Sequence, residues 1–153
     1  MRFLIRLAVV PVLALALTAC GDSGDGASGS DAGAAPTTPP PSRGLPAGAE
    51  ESLDSPAGVV VGKDGEIHVV TYGSSTNPAV VRQVSAEGQK VTVQVSAAEG
   101  KPATMDYVPT TSTFPLPEGV DAGDPITFEL SDFGSVTLDS ADPGTQAWVE
   151  RPE

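Results

Sequence analysis

The chain has 153 residues, with 20 acidic side chains against 8 basic ones for a formal net charge of −12, and it carries 17 Gly, 15 Pro and one Cys. A polyanion of this kind repels phosphate backbones, so no nucleic-acid ligand is expected. One thiol closes no internal disulfide, so the folded part must hold together by burial and backbone pairing alone.

Arg2 and Arg6 precede a nearly unbroken apolar run over 7–17, and Thr18-Ala19 supplies small residues ahead of Cys20. A positive start, an apolar centre and a small-residue end are the anatomy of an export signal. The run is shorter than the roughly 20 apolar residues a membrane-spanning helix needs. Leu17-Thr18-Ala19-Cys20 has the form of a lipobox, and the segment resembles the leaders of bacterial lipoprotein precursors. The resemblance implies transfer of diacylglycerol to the Cys20 thiol and cleavage between Ala19 and Cys20. It implies a protein anchored by lipid to the outer face of the cytoplasmic membrane, with the membrane as its partner through that anchor. The covalent lipid on Cys20 is the only prosthetic group expected.

Residues 1–19 are thus read as the signal peptide and 20–52 as the lipidated cysteine followed by a Gly-, Ser-, Asp- and Pro-rich linker. That composition does not repay the entropy of ordering, so the linker is expected to be disordered and to act as a tether. Gly21-Asp22-Ser23-Gly24-Asp25-Gly26 has a faint likeness to a calcium loop but lacks the acidic residue such loops carry at position twelve.

The remainder, 53–153, has the size of one domain. Val59-Val60-Val61, then Lys63-Asp64-Gly65, then the β-branched run at 66–72 predicts a hairpin turning at Asp-Gly. A second hairpin is expected from 80–85 through Ala86-Glu87-Gly88 to 90–96, where Val91, Val93 and Val95 share one face. Further strands are expected at 104–108, 111–116, 125–130, 135–138 and 145–149. Thr110-Thr111-Ser112-Thr113 reads as an edge strand guarded by Pro109 and Pro115. No helical period is present. The pattern predicts an all-β fold, a single antiparallel β-sandwich of immunoglobulin-like architecture, with a barrel as the alternative.

At Tyr72-Gly73-Ser74-Ser75-Thr76-Asn77-Pro78 and again over 104–112 the domain resembles small uncharacterised exported lipoproteins of GC-rich Gram-positive bacteria. The resemblance implies that Asn77 and Ala103, positions where relatives carry cysteines, lie close in space. It implies no activity.

Chemistry-bearing residues are few. His68, the only histidine, is the one ready general base near neutral pH, and alternation places it with Glu66, Val70 and Tyr72 opposite Ile67 and Val69. No Gly-x-Ser-x-Gly turn accompanies it, so it reads as a solvated strand residue. Asp121 and Asp124, like Asp139 and Asp142, fall in turns, where Asp bonds its own backbone, and they are the candidates for a divalent cation. Phe133, between Ser131-Asp132 and Gly134, is either an exposed contact or a plug folded onto the core, and burial favours the plug. The expected function is therefore non-enzymatic: binding of a protein or cell-envelope component. A small-ligand or divalent-cation site in the acidic turns is the alternative, and a hydrolase built on His68 is the third reading.

Overall fold

The computed structural model describes residues 39–151, and the expected signal segment, the Ala19-Cys20 cleavage pair with its lipidation site and the first part of the expected linker lie outside the described residues. Among the described residues the strands are β1 (Ser42–Arg43), β2 (Ala57–Val61), β3 (Ile67–Gly73), β4 (Val80–Glu87), β5 (Lys90–Ser96), β6 (Val108–Phe114), β7 (Ile126–Leu130), β8 (Ser135–Leu138) and β9 (Gln146–Trp148). They form a five-stranded sheet, β1-β6-β3-β2-β9, and a four-stranded sheet, β4-β5-β7-β8, packed face to face as the expected all-β sandwich.

Alternation builds the core. Val59, Val61, Ile67 and Val69 point inward from the larger sheet, and Val91, Val93, Val95, Ile126, Phe128 and Leu130 meet them from the smaller one. Phe114, Phe128, Ile126 and Leu130 are fully enclosed. Burial of side chains of this size contributes about 1.5–3 kcal/mol each, which explains how a chain without disulfides in this unit holds two sheets together.

The first hairpin forms as expected, with Val61 opposite Ile67 and Gly65 at φ +81° in the turn, a value that favours glycine. The second hairpin is tighter than expected. Glu87 pairs with Lys90, so β4 runs through Ala86-Glu87 and the turn is Gly88-Gln89, with Gly88 at φ +58°. Of the two strands expected at 104–108 and 111–116 only one forms: 104–107 is loop, and the strand is β6 over Val108–Phe114. Pro109 sits inside it because its carbonyl faces β1, where it accepts from the Gly44 amide, so its missing N–H takes nothing from the pairing with β3.

Pairing is antiparallel except between β5 and β7, which run parallel. Between them the chain crosses to the larger sheet as β6 and returns, and a strand re-entering after such a crossover arrives in the same direction. The sheets meet at their corners: the Val81 amide on β4 donates to Ser112 Oγ on β6 at 3.1 Å, and the Thr71 hydroxyl donates to the Ala79 carbonyl at 2.7 Å.

The folded unit reaches back beyond the expected boundary at Leu53, at least to Ser42. β1 pairs with β6, and Leu45 and Ala49 pack with Trp148 onto Val60, Val70 and Tyr72. The physical reason lies in β2 and β3. Their outward-facing residues are also apolar, so the outer face of this sheet needs cover, and the 42–56 segment supplies part of it.

Candidate functional site

His68 stands on the outer face of β3, as alternation predicts, but it is half-buried rather than freely solvated. Its Nδ1 lies 2.8 Å from the Thr113 hydroxyl on β6. The ring borders a cleft of about 360 Å³ shared with Ser42, Pro46, Asp64 and Thr111. Gly62 closes one side so tightly that a Cβ there would lie 2.5 Å from His68 Nε2 and 2.7 Å from Asp64 Oδ1. The hydroxyls of Ser74 and Ser75 are engaged with the Thr104 hydroxyl.

Asp121 and Asp124 lie in the loop before β7, and the loop is ordered by Gln89, which sequence reasoning passed over. Gln89 Nε2 donates to the Asp121 carbonyl at 2.9 Å, and its Oε1 accepts from the Asp121 amide at 2.8 Å. Asp121 Oδ1 accepts from the Gly123 amide. This is the self-bonding turn role that Asp commonly takes. Among the described residues no group of three or more His, Cys, Asp or Glu side chains is placed to hold a metal ion.

Phe133 ends a short 3-10 turn, Ser131–Phe133, and packs half-buried against the core, as the plug reading has it. With Val136, Ala147 and Val149 it lines a groove between β8 and β9.

The segments 72–78 and 104–112 come together. Ser74 Oγ accepts from the amides of Asn77 and Thr104, and Asp106 accepts from the Ser75 amide at 3.0 Å and from the Thr104 hydroxyl. Asn77 clips the neighbouring loop, its Nδ2 donating to the carbonyls of Ala98 and Lys101 and its Oδ1 accepting from the Ala98 amide. The Thr76 hydroxyl reaches the carbonyl of Pro102, next to Ala103 in the chain. Hydrogen bonding, first from Ser75 and then from Thr104, holds the Asp106 carboxyl down at about 2.

The largest concentration of unusual surface lies beside this network. Tyr72 on β3 stacks on Tyr107 with ring centroids 5.1 Å apart and faces Trp148 on β9 at 6.2 Å. Gly58 on β2 makes room for the indole, since a Cβ there would lie 2.2 Å from Trp148 Cε3. The 52–55 turn is tied to the row: the Tyr107 hydroxyl donates to the Ser55 carbonyl at 2.8 Å and the Ser52 amide points at the Tyr72 hydroxyl. Burial pushes the Tyr72 phenol up. The exposed large hydrophobic side chains among the described residues are Leu53 at 60%, Met105, and Tyr107 at 43%, all on these two joined segments. Arg151 lies over the Tyr107 ring at 6.0 Å and donates to its hydroxyl. The sequence does not single out Tyr107 by any motif. The signal it held was a Met and a Tyr in a loop of Pro, Thr and Asp with no alternation to bury them.

Compared with protein-family models, curated proteins and solved structures, the chain matches none of them.

Proposed function

We propose that this protein is a lipid-anchored extracytoplasmic lipoprotein whose β-sandwich is a non-enzymatic binding module for a protein or cell-envelope component. The observation that supports it most is that the exposed Leu53, Met105 and Tyr107 lie on two segments joined by the Tyr107 hydroxyl at Ser55, where the Trp148–Tyr72–Tyr107 row ends. Exposed apolar groups scattered singly need no explanation, whereas a joined set with an aromatic anchor has the character of an interaction surface. The lipobox at Leu17-Thr18-Ala19-Cys20 supports the anchoring.

A photo-crosslinking residue at Met105 in the full-length protein, in intact cells, tests the reading. It should capture one dominant envelope component, while the same residue at Thr92, exposed on the outer face of the smaller sheet, should not. Equal capture at both positions, or none at Met105, refutes binding through this surface. Cys20→Ala should release the protein from the membrane fraction, and normal retention refutes the anchor.

A further inference from the structure

We propose that the Leu53–Met105–Tyr107 surface recognises a cationic segment of a protein partner, a guanidinium or ammonium group resting on the Tyr107 ring where Arg151 now lies. This rests on the binding reading above and gives the partner its chemistry.

Arg151 itself shows that the ring takes a guanidinium. It is exposed, it has no carboxylate within ion-pair distance among the described residues, and it lies over the Tyr107 ring with its nitrogen 3.3 Å from the phenol oxygen. An aromatic face attracts a cation through its quadrupole, and the attraction grows when a bound partner excludes water. The Tyr107 hydroxyl already donates to the Ser55 carbonyl, so it meets the cation as an acceptor.

The surrounding charge selects the same class of ligand. Glu50, Glu51 and Asp54 lie on the segment that carries Leu53, Asp106 adjoins Tyr107, and Glu150 adjoins Arg151, so five carboxylates stand against Arg151 and, beside Asp106, Arg43, whose guanidinium donates to the Ser75 carbonyl. All are exposed, and the ion pair found among the described residues, Lys90–Glu129, involves none of them. A negative rim attracts basic segments and disfavours acidic ones. Leu53 and Met105 supply apolar contact for aliphatic side chains, or for the methylene stems of the arginines and lysines themselves. Arg151 then acts as a placeholder, which the partner must displace.

The test uses the full-length protein in detergent and a fluorescent hexapeptide alternating Arg and Leu, with a counterpart in which every Arg is citrulline, the neutral isostere. The Arg peptide should bind at least about tenfold more tightly than the citrulline peptide, a ratio within the reach of a desolvated cation–π contact aided by the rim. Arg151→Ala should tighten Arg-peptide binding several-fold by removing the competitor. Tyr107→Leu keeps apolar bulk and every charge, and should weaken it about tenfold. Its thermal unfolding is followed alongside, and Tyr107→Phe, which keeps the ring, should retain most of the affinity. Equal binding of the two peptides overturns the proposal. So does unchanged binding in Tyr107→Leu, which would mark general attraction to an acidic protein, or weaker binding in Arg151→Ala. If the Met105 crosslink captures a partner while the Arg peptide fails to bind, the binding reading stands and the cationic one falls. If the peptide binds as expected and the crosslink captures nothing, the surface recognises cations and the reading of an envelope partner falls.

Discussion

Asp106 is exposed to solvent, yet its carboxyl titrates at about 2 against an ordinary 3.8, because Ser75 and then Thr104 hydrogen-bond its charged form. A carboxylate whose folded value is depressed adds stability that is fully present above the unfolded value and is lost as the pH falls through the folded one. Asp106→Asn imitates the protonated group. At pH 7 the variant should melt below the wild-type protein, and the gap should narrow between about pH 4 and pH 2 as the wild-type carboxyl takes up its proton. Thermal melts across that range measure it, and a gap of constant size at pH 2 would show that the carboxylate's charge is not what joins the loops. The interest of the position is its neighbour, since Tyr107 leaves the chain directly after Asp106 and the network fixes where the aromatic row ends.

Among the elements, β5 and β7 show most clearly what patterning carries and what it leaves out. Val91, Val93 and Val95 alternate with polar residues, and so do Ile126, Phe128 and Leu130, so both strands and their inward faces are legible in the sequence. Their parallel pairing is not, because it depends on where the chain goes between them, and no local period records a crossover. The end of that pairing is equally hidden. After Leu130 the chain turns away, and Ser131 takes over from the strand: its hydroxyl accepts from the Val95 amide at 2.8 Å and donates to the Val93 carbonyl at 3.2 Å. To do so Ser131 sits at φ +46°, a region that disfavours L-residues other than Asn and Asp. Ser131→Ala keeps that backbone cost and leaves the Val95 amide unpaired, so it should destabilise the protein by about 1–3 kcal/mol. Denaturant unfolding reads the difference, and a variant as stable as the wild type would mean that water replaces the hydroxyl without cost.

At the scale of the whole molecule, the boundary of the folded unit is where composition misleads. Pro, Gly and Ser over 39–49 suggest a solvated tether, but Leu45 and Ala49 in that stretch close the outer face of β2 and β3 over Val60, Val70 and Tyr72. The proposed binding surface is hidden for the same reason, since the turn that carries Leu53 is joined to Tyr107 only because the segment before β2 folds back, where the Tyr107 hydroxyl donates to the Ser55 carbonyl. A chain beginning at Leu53 would lose β1, Leu45, Ala49 and the contacts of Gly44 with Pro109 and Thr111. It would leave Val70 and Tyr72 facing water, a loss of about 2–4 kcal/mol on the scale of one or two apolar side chains uncovered. A chain beginning at Pro39 keeps all of these contacts. The shorter chain should therefore melt well below the longer one, and Leu45→Ala in the longer chain should reproduce part of the difference. Because Tyr72 and Trp148 would lose their cover, indole fluorescence should shift to the red in the shorter chain before any unfolding begins. Identical melting of the two chains would place the stability of the unit wholly between the sheets and reduce the 39–52 stretch to the tether its composition suggests.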